Sequence, residues 1–141
     1  MTPRAYVVDA SAIIDTLLAA GPEGASVRAV VRSSRLVAPP ILIPEVVNAI
    51  SRLVRQGSLS VAHAGQAVMD FRELGVHVHD LGYNHLARLL ELGQNLGTQD
   101  ASYVILGEQL GLPVLTTDTR MPKGAVAAGS PCPVILPEEA A

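Results

Sequence analysis

Short apolar runs alternate with longer segments of helical periodicity along this chain. Runs such as Tyr6-Val7-Val8 are too short for a helix and are followed by polar residues, which is typical of buried strands. Segments such as 41–56 repeat apolar residues at spacings of three and four, which predicts helices. The pattern predicts strands at residues 5–8, 36–38, 76–81, 114–116 and 133–136, and helices at about 11–20, 22–33, 41–56, 60–74, 83–96 and 100–110.

Proline and glycine mark the boundaries of these elements. Gly21 ends the first helix and Pro22 begins the second, because proline fits the first position of a helix. Pro44 leaves the start of the third helix open, either at Pro40 with a kink or near Pro44 itself. Ser60 is a candidate N-cap for the fourth helix. Residues 118–130 are rich in small side chains and predict no regular element.

The alternation of strands and helices predicts an α/β fold, namely an α/β/α sandwich with a mainly parallel central sheet. A length of 141 residues fits a single domain, so we expect one domain over residues 1–141. In such sheets, functional groups gather at the carboxyl ends of the strands. These ends are therefore the first place to look for chemistry.

Three aspartates lie where a strand or loop passes into a helix or turn. Asp9 directly follows the first apolar strand, and Asp118 lies just past the strand at 114–116. Asp100 lies at the start of the predicted helix 100–110. Right-handed crossovers return parallel strands in the same direction, so we expect all three to face one edge of the sheet.

Glu45 is a fourth acid, on the predicted helix 41–56. It lies three residues after Leu42 and four before Ala49, so it borders the apolar stripe of that helix. Clustered carboxylates repel one another unless a cation joins them, and they raise the pKa of at least one member. Hard divalent cations prefer such oxygen ligands, so the four acids indicate a divalent-metal site. Each acid also has a simpler interpretation: Asp100 as a helix N-cap, Asp118 as a turn former and Glu45 as a border of the core.

Composition excludes several classes of protein. Apolar residues make up 49% of the chain and charged residues 16%, which favours a folded core over disorder. No apolar run reaches the ~18 residues of a membrane span, so we expect no membrane partner. The single cysteine, Cys132, excludes an internal disulfide, and we expect it to be a small apolar filler in a cytoplasmic protein.

The charge distribution is compatible with a nucleic-acid partner. The net charge is −3, but setting the four acids aside changes it to +1. Arginine accounts for nearly all of the ten basic residues, and its forked guanidinium suits contacts to phosphate. Aromatic residues are only 3% of the chain, so base stacking is not expected to dominate affinity.

Four motifs in order resemble those of a known family, the PIN-domain ribonucleases, and in particular the VapC toxins of bacterial toxin–antitoxin pairs. Residues 7–12 (VVDASA) resemble the opening motif of the family, and residues 44–50 (PEVVNAI) resemble its central glutamate helix. Residues 100–104 (DASYV) and 111–118 (GLPVLTTD) resemble its third and fourth acidic motifs. The matching segments extend over nearly the whole chain.

This resemblance implies a metal-dependent endoribonuclease that cleaves RNA phosphodiester bonds with water activated by Mg²⁺, for which Mn²⁺ substitutes. It implies Asp9 and Asp100 as direct metal ligands, with Glu45 and Asp118 completing the catalytic acids. It also implies a VapB-like antitoxin as partner, and a homodimer. Small polar groups around the site would be Ser11, Asn48 and Thr116, which the resemblance implies position substrate or water.

Two other functions remain open from the residues alone. Phosphatases that form an aspartyl-phosphate also carry an aspartate after their first strand, but they typically need a second one two residues later, where this chain has Ser11. A non-catalytic PIN-fold binding module that acts through an antitoxin partner is the second alternative. The sequence does not specify which RNA is cut and where, which antitoxin binds, whether one or two ions are used, or which face forms the dimer.

Overall fold

The structure, a computed structural model, describes residues 4–140 and is built on a five-stranded sheet in which every neighbouring pair of strands is parallel. The strand order is β3-β2-β1-β4-β5. This architecture confirms the predicted α/β class with a parallel central sheet. The strands are Ala5–Val8 (β1), Arg35–Ala38 (β2), His77–Val78 (β3), Val114–Leu115 (β4) and Val134–Ile135 (β5).

Helices connect these strands and account for most of the described chain. Two single-turn 3₁₀ segments, Tyr83–His85 and Pro137–Glu139, complete the pattern. The helices are Ala10–Leu18 (α1), Gly21–Arg32 (α2), Leu42–Arg55 (α3), Val61–Glu73 (α4), Leu86–Leu96 (α5), Thr98–Leu110 (α6) and Arg120–Ala127 (α7).

The strand order creates a switch point beside β1. From β1 the chain builds outward through β2 to β3, and it then returns to pair β4 with the other side of β1. A crevice opens outside the carboxyl ends of the strands where the order reverses, and ligands of open α/β sheets bind there. Asp9 follows β1 and Thr116 follows β4, so both lie at this point.

The predicted helix boundaries are close to those observed, with informative exceptions. Helix α3 begins at Leu42, ahead of Pro44, which is tolerated because a proline in the first turn removes no intrahelical hydrogen bond. Ser60 caps α4 as predicted, accepting a hydrogen bond from the His63 backbone N–H. Helix α6 begins at Thr98 after the positive-φ Gly97, so Asp100 is its third residue and not its N-cap.

Two predictions were wrong in extent. The strand predicted at 76–81 shrinks to His77–Val78, because this edge strand pairs only with β2 and both of its residues are exposed. Residues 118–130, for which no element was predicted, contain helix α7. Its small residues give little periodic signal, yet Met121 and Ala125 are four apart and buried on one face.

Helix α6 is the central helix of the fold. Its residues from Ala101 to Gly107 are all buried, and it packs against β1, β4 and α5. A helix buried on every side has no polar face and therefore shows no amphipathic stripe. The hydrophobic core is one cluster that includes Val7, Val8 and Leu115 of the sheet, and Cys132 lies within it as predicted. Over residues 4–140, no helix is long and apolar enough to cross a membrane.

Replacing Gly107 with alanine should lower the free energy of unfolding. A Cβ atom there would lie 2.5 Å from Sγ of Cys132 and 2.8 Å from the carbonyl oxygen of Leu112, so α6 would have to move away from the sheet. Such overpacking costs about 2 kcal/mol. The matched control is Gly65→Ala on α4, where nothing lies within 4 Å of the new Cβ and alanine should stabilise by up to about 1 kcal/mol. Urea unfolding measures both; equal effects of the two changes would contradict the packing described.

Candidate active site

Asp9 is the most buried of the four predicted acids. It ends β1 and caps α1, and its carboxylate accepts a hydrogen bond from the Ala12 backbone N–H at 2.9 Å. Only 4% of the residue is exposed. The capping role explains why an acid is accepted directly after an apolar strand, since the N-terminus of a helix stabilises negative charge.

Hydroxyl groups from two elements surround the Asp9 carboxylate. Thr116, which follows β4, donates to Oδ2 at 2.5 Å, and Ser11 on α1 donates to Oδ1 at 2.8 Å. The two hydroxyl oxygens lie 3.1 Å apart. The backbone N–H of Thr117 donates to Ser11, and that of Asp118 donates to Thr116. This hydrogen-bond network joins the ends of β1 and β4, with the Asp9 carboxylate at its centre.

Burial decides the protonation of Asp9. Loss of solvent raises the pKa of its carboxyl from 3.8 to about 6, although the hydrogen bonds from Thr116, Ala12 and Ser11 oppose this rise. The nearby Asp100 carboxylate adds a smaller upward shift. The predicted rise in pKa is therefore present, but desolvation contributes more to it than repulsion between the acids. A buried carboxylate of this kind gains most when a cation compensates its charge.

Asp100 lies in the first turn of α6 and is half-buried. Burial raises the pKa of its carboxyl, and the carboxylates of Glu45 and Asp118 raise it further, while Arg120 lowers it. Asp100 thus interacts electrostatically with each of the other three acids. This is the strongest sign that the four side chains share one region of the molecule.

Glu45 reaches this region from α3. Its Oε1 accepts a hydrogen bond of 2.5 Å from the hydroxyl of Tyr103, a residue 58 positions away on α6. Burial, followed by this hydrogen bond, raises the pKa of the Tyr103 hydroxyl, so the tyrosine remains a neutral donor. Glu45 borders the buried stripe of Leu42, Val46 and Ile50, as its position in the sequence predicted.

Asp118 forms an ion pair with Arg120. The guanidinium Nε and Nη2 each lie 3.1 Å from one of the two carboxylate oxygens, and the Arg120 backbone N–H donates to Oδ1 at 2.9 Å. These contacts hold the pKa of the Asp118 carboxyl below its usual range. Asp118 therefore forms the turn and also lies in the region of the other acids. The arginine side chain is 89% exposed, so the pair is weak and readily exchanged.

An open cleft of about 670 Å³ lies between α1 and α3, next to the acids. Ser11 lines one wall, and Glu45, Asn48 and Arg52 line the other. Gln99, immediately before Asp100, also faces it. Asn48 lines this cleft, whereas Ser11 and Thr116 donate hydrogen bonds to Asp9 directly.

The chemistry of the four acids fits a hard divalent cation. All donors are carboxylate or hydroxyl oxygens, the preferred ligands of Mg²⁺ and Mn²⁺. Over residues 4–140, no group of three acidic, histidine or cysteine side chains is close enough to form a complete metal cluster. Glu45 accepts a hydrogen bond from Tyr103, and Asp118 forms an ion pair with Arg120. The structure thus brings the acids to one edge, and their roles toward a metal stay predictions.

Sequence reasoning assigned no role to two residues of this region. Tyr103 lies three positions after Asp100, and this spacing on one helix face was a signal that it neighbours the acids. Arg120 lies two positions after Asp118, a spacing suited to a side chain that closes a turn back on an aspartate. Neither pairing follows from spacing alone, because the partner depends on the rotation of helices and on rotamers.

Fold and site together define an α/β/α protein with a carboxylate site at the switch point of a parallel sheet. Residues 6–126 match the PIN domain family, and the chain therefore belongs to that family. This confirms the resemblance noted from the four sequence motifs.

Relatives with a named activity extend over most of the chain. It is 37% identical over 119 residues to ribonuclease VapC3 of Mycobacterium tuberculosis, covering 84% of this chain and 86% of that protein. It is 35% identical over 134 residues to ribonuclease VapC1 of the same species, covering 92% and 96%. The crystal structure of PAE2754 from Pyrobaculum aerophilum superposes with a TM-score of 0.70 at 22% identity over 96% of this chain and 85% of that one, which supports the fold.

The buried Asp9 carboxyl should make the stability of the metal-free protein depend on pH. Between 3.8 and about 6, the folded protein holds a proton that the unfolded chain has released. The contribution of Asp9 to stability is therefore greatest below the lower value and falls as pH rises through this window, by up to about 3 kcal/mol. Asp9→Asn removes this dependence.

Urea unfolding in the presence of a chelator, from pH 4 to pH 7.5, measures this effect as the difference between variant and wild type. The difference should shift in favour of Asp9→Asn as pH rises. Asp70→Asn serves as the control for the removal of an exposed carboxyl on α4. Parallel curves for Asp9→Asn and wild type would show that the carboxyl titrates normally.

Proposed function

We propose that this protein is a metal-dependent endoribonuclease, the toxin of a VapBC-type toxin–antitoxin pair. The single observation that carries the proposal is the PIN-domain match over residues 6–126, and the electrostatic influence between Asp100 and each of Asp9, Glu45 and Asp118 supports it. The names of the relatives VapC3 and VapC1, both ribonucleases, support the choice of RNA as substrate.

We infer that Asp9 and Asp100 are the direct ligands of one Mg²⁺ ion, with Mn²⁺ as substitute. Burial favours this assignment, because both carboxyl groups have raised pKa values that a cation would relieve. When bound, the ion lowers the pKa of coordinated water and neutralises charge on the phosphodiester oxygens. Glu45 and Asp118 would hold coordinated water or a second ion. Asp118 would do so after its ion pair with Arg120 opens.

The remaining polar groups orient the acids and the substrate. The hydroxyls of Ser11 and Thr116 each donate to Asp9 and fix its carboxylate plane. Such supporting hydrogen bonds keep a ligand in place before its cation arrives. Asn48 faces the cleft one turn after Glu45 and is suited to contact substrate or water.

The cleft between α1 and α3 is our proposed path for the RNA strand. Arg52 lies seven residues after Glu45 on the same helix face, which places it ~10 Å further along the axis. In the part of the chain that the structure describes, Arg52 forms no ion pair with an acid. Its guanidinium is therefore available for a phosphate of the RNA beside the scissile bond.

The partner and location proposals follow from the family. We propose a VapB-like antitoxin as the regulatory partner, a homodimer as the assembly and the cytoplasm as the compartment. Exposed apolar side chains on α3 and α4, among them Ile43, Val47 and Val68, support a surface for self-association. One cluster of buried side chains, from Tyr6 to Cys132, supports a single domain over residues 1–141.

Replacing Asp9 or Asp100 with asparagine should reduce Mn²⁺-dependent RNA cleavage more than ~100-fold, because direct ligands contribute more than their supporting groups. Cleavage of a mixed-sequence RNA, with and without chelator, measures the loss. Circular dichroism checks that each variant is folded.

Asp70→Asn is the matched control, since Asp70 is an exposed acid on α4 that hydrogen-bonds Gln66. It should cleave as the wild type does. Undiminished cleavage by Asp9→Asn would reject the nuclease assignment. If calorimetry also found no Mn²⁺ binding by the wild type, the non-catalytic binding module would be the better interpretation.

Arg52→Ala should weaken RNA binding similarly for all sequences, because a phosphate contact carries no base information. The slope of log affinity against log salt should fall by about one. Binding is measured by fluorescence anisotropy in chelator, where no cleavage occurs. Arg72→Ala, whose side chain lines the separate apolar groove of α3 and α4, is the control and should leave the slope unchanged. Equal slopes for all three proteins would place the RNA elsewhere.

A further inference from the structure

We propose that Tyr103 is a positioning residue that holds the Glu45 carboxylate in place for the cation. The inference rests on the proposed metal-dependent function. It adds Tyr103, which is not one of the four acids, as a residue that supports the site. The inference is argued from the hydrogen bond that Tyr103 on α6 donates to Glu45 on α3.

Tyr103 is enclosed by the protein. It is 1% exposed and lies in the middle of α6, one turn after Asp100. Its hydroxyl donates to Oε1 of Glu45 at 2.5 Å. The ring therefore packs inside the core while its hydroxyl emerges at the border of the acidic region.

A phenylalanine would fill the same space without a polar group. Leaving a hydroxyl without a partner inside a core costs about 1–3 kcal/mol, so a buried tyrosine requires an acceptor at the end of its ring. Here the acceptor is Glu45, which comes from another helix. Because Tyr103 is held by packing on every side, the position of its hydroxyl is fixed, and it fixes the acceptor in turn.

Glu45 needs such a support. A glutamate has three rotatable side-chain bonds and loses rotamer entropy when it is held. Over residues 4–140, the only side-chain hydrogen bond to Glu45 comes from Tyr103. Without it, the carboxylate would turn toward solvent.

The test is a double-mutant cycle on Mn²⁺ affinity, measured by calorimetry without RNA. Tyr103→Phe should raise the dissociation constant for Mn²⁺ on the order of 10-fold, as for other groups that support a ligand. Glu45→Ala should also raise it. In the Glu45→Ala background, Tyr103→Phe should change the constant less than ~2-fold, because the group it positions is gone.

Controls separate positioning from a general effect on the core. Tyr6→Phe removes the hydroxyl of another tyrosine, a residue 4% exposed on β1, and should leave Mn²⁺ affinity unchanged. If Tyr103 had only a structural role, Tyr103→Phe would lower the free energy of unfolding and would change Mn²⁺ affinity equally with and without Glu45. Wild-type affinity in Tyr103→Phe, an undiminished effect in the Glu45→Ala background, or no Mn²⁺ binding by the wild type would each overturn the inference.

Failure of the proposed function gives a different result. If the wild type binds Mn²⁺ and shows the coupling between Tyr103 and Glu45 but cleaves no RNA, the nuclease assignment fails and the positioning role stands. If it cleaves RNA with Mn²⁺ while the cycle shows no coupling, the nuclease assignment stands and the positioning role fails.

Discussion

The buried carboxylate of Asp9 is the constraint on which the rest of the site depends. Taking a charge out of water is costly, and the fold offsets part of that cost with the α1 N-terminus and the hydroxyls of Ser11 and Thr116. Because Thr116 follows β4, satisfying Asp9 also fixes the end of β1 against the end of β4. The hydrogen bonds that offset the burial of the Asp9 carboxylate therefore also join the ends of β1 and β4. Within residues 4–140, they leave the negative charge of Asp9 without a cationic partner.

Sheet topology explains how acids from distant parts of the chain reach this point. Parallel strands end on one edge, and the return of the chain to β4 beside β1 brings Thr116, directly after β4, into hydrogen-bonding contact with Asp9. Helices α3 and α6 then supply Glu45 and Asp100 from the segments before and after β3. That the strands end on one shared edge was predictable from the sequence, because it follows from alternating elements and right-handed crossovers, both of which depend on coarse patterns.

What could not be predicted depends on finer geometry. The pairing of Tyr103 with Glu45 requires the rotation of two helices about their axes, and spacing within one helix says nothing about that. The exchangeable pair of Asp118 and Arg120 depends on rotamers. Helix α7 was missed because glycine, alanine and proline give a weak periodic signal, and β3 was overestimated because an edge position does not require a long strand.

Burial ranks the four acids in a way that bears on how a cation would be held. Asp9 is enclosed and gains most from a compensating charge, while Asp118 already has Arg120 and gains least. Opening the ion pair with an exposed arginine costs little, so the Asp118 carboxylate can move without rearrangement of the fold. The Asp9 carboxylate is rigid because Asp9 follows β1 and accepts a hydrogen bond from Thr116 after β4. Under the proposed function, one fixed and one exchangeable carboxylate would hold a cation firmly and still accommodate the changing charge of a phosphodiester.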